Sequence, residues 1–170
     1  RRTASDFAHA LINTPDRVAI GAFGDDALAG YSLCHVAYRD DLAQYPFLRG
    51  LRPIGQEYWA GSGTVIDPRF RGHGLMTKLL KARTAMARKN GIAHSLAMVA
   101  LGNEASLAGM LRAGFRIVGL EEDEYCLNYL CYEGLLTDNL TSAEIRKLHV
   151  AEIDMLVAAL ADGWIGKAVD

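Results

Sequence analysis

The chain has 170 residues, 51% of them hydrophobic, and a formal net charge of −2. That length and apolar content allow one domain with a sizeable core and exclude a disordered chain. The charge balance argues against a dedicated nucleic-acid binder, and no stretch reaches the roughly 20 apolar residues of a membrane span.

Residues 1–6 lack the apolar core of a signal peptide, so a cytoplasmic location is expected. Residues 5–12 read as a short helix ended by Asn13, Thr14, Pro15 and Asp16, because the residue before a proline avoids helical backbone. Residues 17–23 and 28–36, separated by Gly24, Asp25 and Asp26, predict a hairpin. Residues 38–56 have no clean period and form a long aromatic connection. Residues 57–66 read as a strand whose Gly61 and Gly63 point to a bulge or a close backbone approach.

The clearest helix starts at Leu75. Leu75, Leu79, Leu80, Ala82, Met86 and Ala87 recur at helical spacing, with Lys78, Lys81, Arg83, Arg88 and Lys89 expected largely on other faces; Asn90 and Gly91 stop it. A strand at 94–101, a helix from Asn103 through Leu111 closed by Gly114, a strand at 115–120, a charged turn at 121–124 and a strand at 125–135 follow. Cys34, Cys126 and Cys131 fall in apolar strand-like segments, without a C-x-x-C pair, which fits free thiols rather than a disulfide framework or metal site. Strands alternating with helices, between ends that look antiparallel, give an α/β fold on a mixed (α+β) sheet flanked by helices.

Arg71, Gly72, His73, Gly74, Leu75 and Met76 join the strand ending at Ile66 to that helix. Two glycines spaced one apart, just before a helix, leave backbone N–H groups free to hold a phosphate. The stretch is neither a P-loop, since no Gly-Lys-Ser/Thr follows, nor a G-x-G-x-x-G dinucleotide turn. It resembles the acyl-CoA signature Q/R-x-x-G-x-G/A of the GNAT superfamily of N-acetyltransferases; a register from Arg69 fits literally with Gly72 and Gly74, and the preferred register from Arg71 uses Gly74 and puts Met76 in the last, usually small, position. Asn103, Ser106 and the Gly114-Phe115 pair resemble that family's second motif, at the family's spacing.

The resemblance implies acetyl-CoA as cosubstrate, no metal, and a primary amine as acceptor, attacking directly in a ternary complex. It implies that the backbone of Thr64, Val65 and Ile66 pairs with the pantetheine arm. Arg71 heads the signature, and the amides of Gly72, His73, Gly74, Leu75, Met76 and Thr77 would hold the pyrophosphate. Asn103 and Ser106 would line the other side of the cofactor.

Many family members carry a tyrosine four positions before the glycine of Gly-Phe, as the acid for the departing thiolate. Met110 stands there in this chain and cannot donate a proton. Tyr125, Tyr129 and Cys126 on the expected late strand are the alternatives, with Tyr125 put first. Glu57 is the candidate general base. The side chain of His73 is expected to meet phosphate, and His35 and His94 to be structural. Asp40, Asp41 and Glu57 would suit a cationic acceptor.

One domain is expected over residues 1–170, a core at 1–137 and a tail at 138–170. The tail resembles the family's missing first strand and helix, as in a circular permutation or a cut across tandem domains. It would complete its own sheet or, by swapping, that of a homodimer partner. A plain C-terminal helix capped at Thr141 to Glu144 is the competing reading. A catalytically weak acyl-CoA sensor is the competing function.

Overall fold

The structure, a computed structural model, describes residues 17–24, 26–38, 57–134, 152–162, 164 and 166. Among them are six strands: β1 (Arg17–Gly24), β2 (Ala27–Tyr38), β3 (Glu57–Ile66), β4 (His94–Ala100), β5 (Arg116–Glu122) and β6 (Leu127–Gly134). They form one sheet in the order β1-β2-β3-β4-β6-β5. Only β3 and β4 run parallel; every other neighbouring pair is antiparallel. Three helices accompany the sheet: α1 (Leu75–Lys89), α2 (Glu104–Arg112) and α3 (Ile153–Ala161). The expected mixed α+β sheet is therefore present.

The parallel pair exists because α1 carries the chain back along the sheet between β3 and β4, as a parallel connection requires. The helix buries Leu79, Leu80, Thr84 and Ala87. With α2 it covers one sheet face, where Leu80, Ala97, Val99, Leu107, Met110, Phe115, Tyr129 and Cys131 form the largest cluster. Tyr58, Leu96, Val118, Leu130 and Tyr132 pack on the opposite face. By residue type, Arg83 was expected with the solvated charges of α1. Instead it is 1% exposed, because it shares the stripe of Leu79, Leu80 and Ala87.

The late strand is also shorter than expected. β5 continues through Glu122, and Asp123 then closes a turn by accepting the N–H groups of Tyr125 and Cys126, both at 2.8 Å. Pairing resumes only at Leu127, opposite Glu122. Tyr125 and Cys126 therefore sit in the turn and not on β6.

In the tail, α3 packs against β5 and places Leu160 in the main core cluster. Gly166 then exchanges two backbone hydrogen bonds with Ile117, each 3.0 Å. The tail helix thus covers the sheet end opposite β1. The strand expected at residues 144–149, the opening helix at 5–12 and the loop with Asp40 and Asp41 lie outside the described residues. No helix among the described residues is long and apolar enough to cross a membrane.

Candidate active site

β3 and β4 pair over three rungs only, Trp59↔Ser95, Ala60↔Leu96 and Gly61↔Ala97. Past Gly61 the two strands part. β3 stays bonded to β2 as far as Ile66, and β4 to β6 as far as Ala100. Each flank is held by its outer neighbour, so the wedge between them is built into the sheet. Its walls present backbone groups that could pair with an extended ligand.

A bulge sits at the vertex. Cys34 faces Gly61 and Leu33 faces Gly63, so Ser62 is an extra residue on β3. Gly63 has φ +152°, a conformation side chains disfavour. The glycine pair of the sequence reading thus marks a bulge.

Beyond Ile66 the chain turns tightly. Asp67 accepts from the backbone N–H and the guanidinium of Arg69, which holds its carboxyl down to about 2. Arg71 Nε donates to the Ile66 carbonyl at 3.3 Å. Gly72 and Gly74 have φ of +79° and +69°, the left-handed region that glycine enters without penalty. Gly74 caps α1 without any side-chain hydrogen bond, and the first helical bond runs from the Lys78 N–H to its carbonyl. The N–H groups of Leu75, Met76 and Thr77 belong to the first turn, where a helix has no internal acceptors. His73 turns its ring back, with Nδ1 donating to the Arg71 carbonyl at 2.7 Å.

The α2 N-terminus lies at the same open end, because β4 runs into it directly. Asn103 Oδ1 accepts from the Ser106 N–H at 3.2 Å and caps the helix. Two helix N-termini, with their positive dipole ends, therefore stand at the mouth of the wedge. The helices touch where Met76 meets Gly109. A Cβ on Gly109 would lie 2.8 Å from Met76 Sδ. The bulky residue in the usually small motif position is accommodated by a glycine on the facing helix.

The remaining candidates are spread out. Glu57 is exposed at the start of β3, four residues before Gly61, or about 13 Å along a strand. Tyr125 is 84% exposed in the β5–β6 turn. Met110 is buried in the α2 core beside Tyr129, whose phenol is pushed up chiefly by burial.

Two polar pairs at the vertex were not expected. His35 Nδ1 lies 2.9 Å from Ser62 Oγ on the sheet face away from α1. Burial, and secondarily the charge of Arg17, lowers the His35 pKa, which favours neutral imidazole. On the α1 face, Ser32 Oγ lies 2.9 Å from Thr64 Oγ1, and Arg83 Nη1 donates to Ser32 at 3.4 Å. Neither pair is visible without the β2–β3 register. Arg83 alone left a trace in the sequence, a charge in phase with an apolar stripe.

Residues 2–115 match the model of the acetyltransferase (GNAT) family, and the chain belongs to that family. No curated protein sequence matches it significantly. Three solved structures share the fold. Arabidopsis thaliana NAA60 with a bisubstrate analogue has a TM-score of 0.64 at 15% identity, over 79% of this chain and 85% of that one. A GNAT acetyltransferase from Streptococcus pneumoniae has a TM-score of 0.55 at 19% identity, over 75% and 72%. The aminoglycoside acetyltransferase AAC(6')-Ib, solved with coenzyme A and kanamycin, has a TM-score of 0.55 at 16% identity, over 76% and 70%.

Proposed function

We propose that this protein transfers an acetyl group from acetyl-CoA to a primary amine by direct attack in a ternary complex. The observation that carries the proposal is the wedge between β3 and β4, with the Gly72–Gly74 turn and two helix N-termini at its mouth. A pantetheine arm would lie along Thr64, Val65 and Ile66. The pyrophosphate would sit on the amides of Gly72, His73, Gly74, Leu75, Met76 and Thr77, with Arg71 alongside and Asn103 and Ser106 across the cofactor. The thioester would then reach the Gly61–Gly63 bulge, where the backbone can hold the developing oxyanion.

The amine would approach from the His35 face. His35, directly or through Ser62, would take its proton, since a neutral imidazole within hydrogen-bond reach of the vertex suits that task. Glu57, about 13 Å from the vertex, would serve only through a chain of waters or by attracting a cationic acceptor. Tyr125 is assigned no part, because its turn holds it in solvent. The acceptor class is amines of the kind the family modifies, whether peptide or small molecule.

Met110 supports a second reading, an acyl-CoA-binding domain with little turnover, because no phenol stands at that position of α2. One experiment separates the two. Acetyl-CoA is incubated with a panel of polyamines, aminoglycosides and peptide N-termini, and acetylated product is followed by mass spectrometry. Product formation on some amine supports the transferase. Tight acetyl-CoA binding with no product across the panel supports the sensor.

A further inference from the structure

Arg83 is 1% exposed, yet among the described residues its Nε and Nη2 have no hydrogen-bond partner, and Nη1 has only the 3.4 Å contact to Ser32. A buried guanidinium ordinarily sits against a carboxylate. Among the described residues none lies within ion-pair distance of Arg83. Cys34, which faces it, is pushed up to about 11 by burial and stays a neutral thiol. Glu133, the other charge that it feels, is paired with Arg88. The guanidinium stacks over Phe115, 5.7 Å from the ring centroid, and lies against Gly61. A Cβ on Gly61 would be 2.7 Å from Nη1, so the absent side chain at the vertex makes the room this cation occupies.

The path from the cation to the wedge is a chain of hydroxyls. Arginine can only donate, so Ser32 Oγ accepts from it. Ser32 is fully buried and lies 2.9 Å from Thr64 Oγ1, a pair in which either hydroxyl can donate. With Ser32 donating, the hydrogen of Thr64 is free to turn outward. Thr64 stands three residues beyond the last β3–β4 rung, where the wedge has opened.

We propose that the Thr64 hydroxyl, oriented through Ser32 and backed by the charge of Arg83, donates a hydrogen bond to the sulfur of the departing CoA and takes the place of the phenol that Met110 lacks. The inference rests on the reading that CoA occupies the wedge. As the amine nitrogen bonds to the acyl carbon, the carbon–sulfur bond breaks and its electron pair stays on sulfur. The amine proton leaves toward His35. The thiolate is held by the Thr64 hydrogen bond until CoA departs and takes a proton from water. Thr64 is the catalytic residue in this step, and Ser32 and Arg83 are positioning residues.

The test uses CoA itself, so it needs no acceptor. The thiol of bound CoA is titrated by its thiolate absorbance in the full chain carrying Cys126→Ser. Burial pushes the Cys34 and Cys131 thiols up to about 11 and about 12, out of the way of the titration. Calorimetry with CoA is run alongside. The chain predicts that bound CoA titrates about one unit higher in Thr64→Val and Arg83→Met than in the parent, since a lost donor disfavours the charged form. Arg83→Lys should restore part of the shift, Ser32→Ala should fall between, and Tyr129→Phe should leave the titration unmoved. Thr64→Val keeps the side-chain volume and carries the test even where Arg83→Met fails to fold. Variants that bind CoA but titrate like the parent overturn the proposal, as does a shift in Tyr129→Phe alone. Absence of CoA binding to the parent overturns the reading of the wedge itself, and is told apart by calorimetry.

Discussion

His35 Nδ1 lies 2.9 Å from Ser62 Oγ, and Ser62 is the one residue by which β3 exceeds its partner strand at the vertex. The bulge brings this residue of β2 within hydrogen-bond distance of the extra side chain on β3. His35→Gln should lower kcat for the amine that the parent accepts by about 10²-fold, with CoA affinity little changed. Steady-state kinetics with separate CoA titrations check this.

The pH dependence follows from the direction of the His35 shift. Its folded pKa lies below the ordinary 6.5, so the neutral base persists to lower pH than a free histidine would allow. The acidic limb of the kcat profile should therefore fall below pH 6.5. Between the lowered folded value and the unfolded one, the unfolded chain binds a proton that the folded chain refuses, so stability also declines as pH drops through that window. Thermal melts from pH 7.5 to 5.5 should show a loss in the parent that is smaller in His35→Gln. Equal losses in both would remove His35 from the account.

Met76 and Gly109 form a matched pair across α1 and α2. Gly109→Ala places a methyl 2.8 Å from Met76 Sδ, the end of a flexible side chain, and sets that crowding against the roughly 1 kcal/mol a helix interior gains from Ala over Gly. In the Met76→Ala background the space is open, so Gly109→Ala should stabilise there by more than it does in the parent. Denaturant unfolding of the four proteins gives the coupling, and additive effects would show that the pair does not interact.

Gly61 faces two neighbours at once. Alanine there would meet Arg83 Nη1 at 2.7 Å and the Ala97 Cβ at 3.1 Å. Gly61→Ala should destabilise by about 1–3 kcal/mol. Pairing it with Arg83→Met, whose flexible thioether can yield, should reduce the loss. Urea midpoints measure both.

Asn103 uses its Oδ1 to cap α2. Asn103→Ala should lower stability by about 1 kcal/mol, whereas Asn103→Asp, which keeps the acceptor, should lose little. If Asn103 also meets the cofactor, Asp should still weaken CoA binding by adding charge beside phosphates. Calorimetry on a variant of near-parent stability separates the two roles.

Elements with strong local codes were legible in the sequence. β3 begins at Glu57 and ends at Ile66, where the apolar segment and proline place it, and α1 ends at Lys89, before Asn90 and Gly91. Asn103 announces α2 by its capping chemistry. What escaped depends on pairing. His35 reads as a structural strand residue until the register sets it against Ser62. Tyr125 reads as part of an apolar strand until Asp123 takes its N–H for a turn. Arg83 reads as a surface charge when counted by type, and as a core residue when counted by phase. Met76 looked like a departure from its motif, and its compensation lies 33 residues downstream in Gly109, a distance no local pattern spans.

If the wedge and the glycine turn hold CoA, its binding depends on the backbone of Gly72 and Gly74. This dependence is tested by calorimetric titration of acetyl-CoA into the parent and into Gly72→Ala/Gly74→Ala, whose added methyls meet none of the described residues within 4 Å and act on backbone at φ +79° and +69°. The parent should show one site per chain, and a variant whose circular dichroism still shows the mixed fold should bind at least about tenfold more weakly, as expected when amides at a helix N-terminus are turned from their anion. No binding in the parent, or undiminished binding in the folded variant, would contradict it.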